Sequence, residues 1–138
     1  MRANVLWCAV AWLVAMPAMA WAEAEPVAIA EAYLTQLVAK QPEKGFAELM
    51  THSTVDEVKP REIQLLKGQI EQALSFYGAP SGFEQILDRP YGASTVRLIY
   101  ITKHRDTPLV WNFFFYRTAE GWSLVTLRFS DQLQALEP

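Results

Sequence analysis

One stretch near the end of the chain restricts the fold more than any other. Two segments rich in aromatic and β-branched residues, 109–117 and 122–129, are joined by the link Thr118-Ala-Glu-Gly121. Such segments around a short link that ends in glycine are typical of a β-hairpin. With residues 119–121 as a three-residue loop and Gly121 in the left-handed conformation of a bulge, Thr118 lies opposite Trp122.

This register sorts both strands into two faces. The inner face carries only apolar pairs: Phe115 opposite Val125, Phe113 opposite Leu127 and Trp111 opposite Phe129. The outer face is mixed, with Tyr116 opposite Leu124, Phe114 opposite Thr126 and Asn112 opposite Arg128. Because a shift by one residue would turn the first set to solvent, the inner face must meet a core, and we expect it to lie beneath the long helix predicted over 60–77.

The outer face predicts a partner surface. A contiguous exposed aromatic patch is unusual on a monomer, so we expect a homodimer or an envelope protein to bind there, through Phe114, Tyr116, Trp122 and Leu124. The alternative is that the tail around Leu133 and Leu136, or the first helix, covers this face. Asn112 opposite Arg128 allows an anion contact, although a plain cross-strand polar pair is commoner.

The first 22 residues have the pattern of a secretory signal peptide. Arg2 precedes a short apolar run, and small residues around Ala20 and Ala22 form a cleavage site. The run is too short for a membrane-spanning helix, so an uncleaved anchor is the weaker alternative. We predict a signal peptide at 1–22 and a single periplasmic or secreted domain at 23–138, with no stable membrane span after cleavage.

Composition excludes several classes of function. Cleavage removes Arg2 and the only cysteine, Cys8, which leaves a mildly acidic domain without disulfide or thiol chemistry. Such a domain has no basic footprint for nucleic acid. Two histidines without metal-ligand spacing, and no glycine-rich phosphate loop, predict no metal site and no cofactor.

The remaining pattern predicts three helices followed by four strands. Apolar residues recur at helical spacing over 26–40, 42–51 and 60–77, with a polar connection at 52–57. Gly78 and Pro80 end the third helix. Alternation then predicts strands over 83–89 and 95–103 before the hairpin. Helices that precede sequential antiparallel strands indicate an α+β fold, with three N-terminal helices packed on a curved four-stranded antiparallel sheet.

This order of elements resembles the nuclear-transport-factor-2-like superfamily, or cystatin-like cone fold. The resemblance covers residue 26 to about residue 131 and rests on two further stretches, Tyr77-Gly-Ala-Pro-Ser-Gly-Phe83 and Phe115-Tyr-Arg-Thr-Ala-Glu-Gly-Trp-Ser-Leu-Val125. The stretch that ends at Val125 is similar to the closing hairpin of small exported members of the superfamily. The resemblance implies a curved sheet that wraps a long helix and encloses a pocket, but it carries no catalytic motif, so it implies no activity.

Four ionisable residues are the candidates for catalysis. His52 with Asp56 has the composition of a general base oriented by a carboxylate, and Ser53 lies beside them. The plainer interpretation is a hydrated loop that caps the next helix. Enzymes of the resembled superfamily, such as ketosteroid isomerase, place acids and histidines inside the cone, and here Asp88 and His104 are the nearest equivalents besides Arg97. Each of them lies near a strand end, where solvent exposure is the commoner outcome.

Four aromatic residues are the candidates for ligand binding. Tyr33, Tyr77, Tyr100 and Trp111 each combine an apolar ring with one hydrogen-bonding group, and helices packed on a sheet would bring them to one cavity. The alternative is a filled core. We therefore predict a non-catalytic exported domain that binds a small apolar ligand or a protein partner, and keep as the alternative a small isomerase, dehydratase or hydrolase.

The leader generates the first testable prediction. Protein recovered from a periplasmic extract is expected to begin at Glu23 when its N-terminus is sequenced. An intact Met1 on membrane-associated protein would contradict the signal peptide and support the anchor.

Overall fold

A computed structural model describes residues 24–137 of this chain; the predicted signal peptide, residues 1–22, and its cleavage site lie outside them. Four helices come first: α1 (Pro26–Val38), α2 (Pro42–Met50), α3 (Val55–Val58) and α4 (Pro60–Tyr77). Four strands follow: β1 (Gly82–Tyr91), β2 (Thr95–Lys103), β3 (Pro108–Thr118) and β4 (Gly121–Ser130), and a 3₁₀ turn spans Leu133–Leu136. The strands pair in chain order as an antiparallel meander. The α+β fold with three main N-terminal helices is therefore confirmed.

Proline and glycine set the ends of the main helices. Pro26, Pro42 and Pro60 each occupy the first turn, where the missing N–H costs nothing and the fixed φ suits the helix. Gly78 ends α4 with φ +81°, a conformation that other residues rarely adopt. The segment predicted as a polar connection contains the single turn α3.

The register of the final hairpin is partly as predicted. Trp111 lies opposite Phe129, Asn112 opposite Arg128, Phe113 opposite Leu127 and Phe114 opposite Thr126, which confirms the predicted pairs farthest from the turn. Nearer the turn the prediction is wrong. Thr118 pairs with Gly121 across a two-residue link, and an irregularity at Phe114/Phe115 leaves Val125 as the extra residue.

The bulge exchanges two side chains between core and surface. Leu124 pairs with Phe115 and is 2% exposed, whereas Val125 is 41% exposed. The backbone N–H of Leu124 donates to the carbonyl of His52 at 2.8 Å, and the Ser53 hydroxyl donates to the Leu124 carbonyl at 2.6 Å. The placement of Leu124 on an outer interface and of Val125 in the core is therefore corrected.

The core is formed mainly by α1 and the inner face of the sheet. Apolar side chains of α1 at helical spacing are almost fully buried: Ile29, Ala30, Tyr33, Leu34 and Leu37. They share one cluster with Trp111, Phe113 and Phe115 of β3. α4 adds Ile63 and Ile70 to the same cluster, and its Leu66, Ala73, Leu74 and Tyr77 are partly buried against it. The inner face therefore lies under α4 together with α1, and α1 contributes more of the fully buried residues. Each large side chain buried in this way contributes roughly 1.5–3 kcal/mol.

The chain's own tail covers part of the outer face. The turn Leu133–Leu136 packs against β3, and the Asn112 side-chain amide donates to the Ala135 carbonyl at 3.5 Å. Val110 of β3 and Ile99 of β2 are buried on this face. This is the alternative that the sequence left open for the outer face, and it holds for the part near Asn112.

The bulge can be tested by truncating its two residues. We expect Leu124→Ala to lower the free energy of unfolding by about 2–5 kcal/mol, since it leaves a cavity in the core. Val125→Ala should cost about 1 kcal/mol or less. Denaturant titration of both variants measures the difference in the free energy of unfolding. A larger loss of stability in Val125→Ala than in Leu124→Ala would support the predicted three-residue loop.

Candidate functional site

Three of the four predicted ligand-binding aromatics lie in the filled core. Tyr33, Tyr100 and Trp111 are almost fully buried, and the rings of Tyr33 and Trp111 meet edge-to-face with centroids 5.8 Å apart. The Tyr33 hydroxyl has no hydrogen-bond partner among the described residues, and burial raises its pKa. The structure brings these residues together as packing partners.

The polar groups of the other two core aromatics have partners of their own. The Tyr100 hydroxyl donates to Glu31 Oε1 at 3.2 Å, and burial together with the Glu31 carboxylate raises the pKa of Tyr100. Trp111 Nε1 donates to Thr102 Oγ1 at 2.8 Å. These bonds satisfy groups that would otherwise cost free energy in the core.

Tyr77 lies apart from this set. It is half-buried at the end of α4, and its hydroxyl donates to Asp131 Oδ2 at 2.6 Å, which raises its pKa. The bond ties the end of α4 to the segment that follows β4.

His52 and Asp56 do not form a catalytic pair. No hydrogen bond or ion pair joins their side chains within residues 24–137, and Asp56 Oδ1 accepts from the backbone N–H of Glu57 at 3.1 Å. Ser53 Oγ donates to the Leu124 carbonyl and accepts from the Val55 N–H at 3.1 Å. These groups serve the connection between α2, α3 and β4, but the side-chain capping that the plainer interpretation expected is not found at the N-cap residue of α3 or of α4.

His104 belongs to a chain of hydrogen bonds that links β2 to the end of α4. Its Nδ1 lies 2.9 Å from the Gly78 carbonyl, and its Nε2 lies 2.9 Å from Thr102 Oγ1. Because a carbonyl only accepts, Nδ1 carries the proton, and Nε2 then accepts from the Thr102 hydroxyl, which accepts from Trp111. The neutral imidazole thus satisfies every member, and burial lowers the pKa of His104 although the Gly78 bond opposes the shift.

Asp88 stands alone among the four candidates. It is exposed on β1, opposite Leu98, and no hydrogen bond or ion pair of its side chain is found in the described chain. The four ionisable candidates are therefore distributed over separate parts of the fold.

The sequence missed a furrow between α4 and β4. Near the start of α4 this furrow has a volume of about 340 Å³, and near the end of the helix about 490 Å³. Its first half is lined by apolar side chains, Met50, Val55, Ile63, Leu66, Leu124, Val125 and Leu127, together with the charged side chains Lys59, Glu62 and Arg128. Its second half is lined by Gln69, Gln72, Ala73, Phe76, Tyr77, Leu109, Phe129, Ser130 and Asp131.

One wall of this furrow is the free edge of the sheet. β4 is the last strand of the meander, and the α2–α3 connection binds its outer edge at Leu124. Beyond Leu124, no backbone hydrogen bond joins that edge to a described helix or loop. The strand order itself was the available signal, because the last strand of a meander has an unpaired edge.

A larger groove has a different character. It occupies about 790 Å³ between the end of α1, the start of α2 and the second half of α4. Leu37, Pro42 and Leu74 form its apolar part, but Lys40, Glu43, Lys44 and Glu71 also line it. Charges of both signs also line the first half of the furrow, so the difference lies elsewhere: this groove is lined by helices and the link after α4, without an unpaired strand edge.

The comparisons with known proteins give no relative. Neither protein-family models, nor curated proteins, nor solved structures match this chain significantly. Within residues 24–137, no three His, Cys, Asp or Glu side chains are grouped so as to hold a metal ion. Across the same residues, every helix is too short or too polar to cross a bilayer.

The His104 chain predicts a pH dependence of stability. Above about pH 6.5, the ordinary pKa of histidine, folded and unfolded His104 are both neutral. As the pH falls below that value, the unfolded chain binds a proton before the folded chain does, so stability should fall until the lowered pKa is passed. Unfolding titrations between pH 7 and 5 should give a smaller slope for His104→Gln, with His52→Gln as the control. An unchanged slope in His104→Gln would contradict the neutral hydrogen-bonded imidazole.

Proposed function

We propose that this chain is a non-catalytic exported domain that binds an extended apolar segment of a protein partner in the furrow between α4 and β4. The observation that carries the proposal is an unpaired strand edge facing apolar side chains of a helix. A bound segment can pair its backbone with such an edge while alternate side chains enter the furrow. The partner is thus defined by its chemistry: an extended strand with apolar residues at every second position.

The shape of the furrow favours a segment over a compact ligand. Its lining runs along most of α4 and along residues 124–131 of the sheet edge. At about 3.3 Å per residue, those eight residues span roughly 26 Å, which suits an extended peptide of similar length. By contrast, the aromatics predicted to line a closed chamber are packed against one another.

Exposed apolar side chains at both ends of the furrow support the same proposal. Phe76 is 80% exposed at the α4 end, and Val125 lies on the bulge of β4. Exposed apolar groups at an open edge are an aggregation hazard, and proteins usually protect them. Their presence beside an unpaired edge is explained if a partner covers them.

The non-catalytic part of the proposal rests on the candidate residues. Ser53, Asp56 and His104 bind backbone or side-chain groups of the fold, and Asp88 is solvated. The alternative, a small isomerase, dehydratase or hydrolase, needs an acid or histidine beside a substrate cavity. His52 borders two hollows of about 430 and 300 Å³, but no side-chain hydrogen bond orients its ring within residues 24–137. Asp131 borders the furrow, but its carboxylate accepts the Tyr77 hydroxyl.

Two further parts of the proposal come from the sequence. The element order and the closing hairpin support membership of the cystatin-like cone fold, and the apolar leader supports a periplasmic or secreted location. In that compartment a partner would be another envelope protein or an exported chain. A small apolar ligand remains the other occupant for the same furrow.

A homodimer through the outer face also stays a prediction. Leu124 is buried and cannot contribute, and Trp122 packs partly against the core and under the guanidinium of Arg117 at 5.7 Å. Phe114 and Tyr116 remain on that face, where Tyr116 is 49% exposed. A mass of two chains in solution that falls to one in Phe114→Asp would establish the dimer.

The furrow can be tested with a designed peptide. A fluorescein-labelled ten-residue peptide with valine at alternate positions and serine or lysine between them is titrated with the domain, and polarisation reports binding. Phe76→Ser and Val125→Lys are each expected to weaken binding about tenfold, since each removes apolar contact worth more than 1 kcal/mol. Leu65→Ser is the matched control, because Leu65 is 63% exposed on the same helix but does not line the furrow.

The backbone part of the interaction has its own control. A peptide with proline at its centre lacks one donor and cannot complete the ladder, so it should bind at least tenfold more weakly. Equal binding of both peptides would contradict strand addition. A different outcome would indicate a small apolar ligand instead of a segment. Dodecanoic acid would then raise the melting temperature of the domain, Phe76→Ser or Val125→Lys would abolish that effect, and the peptide would not bind.

A further inference from the structure

The outer face of the sheet carries a pair of arginines on neighbouring strands. Arg89 of β1 lies directly opposite Arg97 of β2, so both side chains leave the same face. Like charges in directly opposed positions destabilise a sheet. Their presence in one cross-strand pair needs an explanation beyond folding.

The guanidinium group of Arg97 is held in one position. Its Nε and Nη2 donate to Asn112 Oδ1 at 3.3 and 3.0 Å, and its Cζ lies 5.5 Å from the centroid of the Phe114 ring. Arg89 and Arg97 also lower the pKa of the Tyr91 phenol, Arg89 having the larger effect. Tyr91 therefore lies within the field of both guanidinium groups, next to them on the same face.

No carboxylate of the described chain neutralises this pair. The ion pairs found within residues 24–137 join Lys103 to Glu84 and Arg105 to Asp106, so neither Arg89 nor Arg97 takes part in one. Asp88 is adjacent in sequence but pairs with Leu98, on the inner side, where its charge reaches Tyr100. The two guanidinium groups keep N–H donors that the protein does not use.

Aromatic side chains border the arginines. Phe114 lies opposite Arg97 on β3, while Tyr91 and Tyr116 flank Thr95 in the next row and are both about half exposed. The surface thus combines fixed positive charge with amphipathic rings over three strands. Aromatic and arginine side chains are the residues most enriched in protein interfaces.

We propose that Arg89 and Arg97 form a binding site for the carboxylates of an acidic segment of a partner protein, with Asn112 and Tyr91 as positioning residues and Phe114 and Tyr116 as the apolar contact. Arginine binds carboxylates through paired N–H donors, and a guanidinium that is already fixed loses less conformational entropy on binding. The site lies on the outer face, away from the furrow, and does not depend on the segment binding proposed above. It shares Phe114 and Tyr116 with the predicted homodimer, so an acidic segment and a second copy would compete for this face.

Charge complementarity selects this occupant over two others. A second copy placed face to face by a two-fold axis would bring arginine rows of the same charge together. An anionic bilayer attracts basic clusters over about a Debye length, but the whole chain has a formal charge of −3, so its average charge opposes that attraction. An acidic peptide contacts the local pair without approaching the acidic helices.

The test uses two labelled peptides of equal length. One has two glutamates flanking a leucine between Gly-Ser ends, and the other has glutamines in their place. In 50 mM salt we expect the glutamate peptide to bind at least tenfold more tightly to the exported domain (residues 23–138), and this preference to shrink at 300 mM salt. Polarisation titrations measure both.

Three arginine variants locate the binding site. Arg89→Gln with Arg97→Gln should weaken binding of the glutamate peptide at least tenfold, and Arg97→Lys, which keeps the charge but lacks the paired donors, at least threefold. Arg61→Gln is the control for the loss of a positive charge elsewhere, because it removes one charge from the exposed side of α4 and should change affinity less than twofold. In the double variant the Tyr91 phenol, followed by absorbance near 295 nm, should titrate at a higher pH, because both guanidinium groups lower its pKa.

Each contrary result overturns the proposal. An equal loss in Arg61→Gln would mean non-specific attraction, and equal binding of the glutamine peptide would exclude carboxylate recognition. If inorganic phosphate displaced the glutamate peptide at a concentration equal to that of the peptide, the ligand would be a free anion and not a protein segment. Binding to vesicles of phosphatidylglycerol without peptide binding would replace it by a membrane, and a dimer mass lost in Arg97→Gln would replace it by a second copy.

Discussion

The contact between the inner face of β3 and the buried side of α1 is the one on which the rest of the structure depends. Trp111, Phe113 and Phe115 lie against Tyr33, Leu34 and their neighbours with essentially no exposed surface. Burial on this scale supplies most of the driving force for a domain without disulfides in its described part. Because α1 fills this position, α4 packs through two buried isoleucines and leaves space beside β4.

The register of the hairpin half that lies away from the turn could be predicted from the sequence, because only one register buries all of its apolar residues. Trp111 and Phe113 alternate with Asn112, and a shifted register would expose them. The half near the turn could not, since Leu124 and Val125 are both apolar and either could face inward. The choice depends on His52 and Ser53, which bind the backbone of Leu124 from a loop more than 70 residues earlier in the chain. No local pattern contains that information.

Whether the predicted ligand-binding aromatics wall a chamber or fill the core does not follow from the sequence, for a related reason. Tyrosine and tryptophan rings serve equally as cavity walls and as core, and only packing distinguishes the two. Tyr100 and Trp111 have their partners in Glu31 and Thr102, which periodicity cannot pair. Likewise, both α1 and α4 have an apolar side, and the spacing of apolar residues does not show which helix is more deeply buried. The sequence did predict the strand order, from which the free edge of β4 follows.

Two surfaces of the sheet, the edge along the furrow and the outer face, leave different groups without a partner in the described chain. Along the furrow the unused groups are the backbone edge of β4 and apolar side chains, which a strand-like segment would cover. On the outer face they are the N–H donors of Arg89 and Arg97, with Arg97 held by Asn112 and Phe114, and neither arginine pairs with a carboxylate of the described chain. A fold selected only for stability would remove the repulsion of that pair with one substitution. On the two proposals, the ligand of the arginine pair is acidic and that of the furrow is apolar, so one segment would not compete with the other for the same surface.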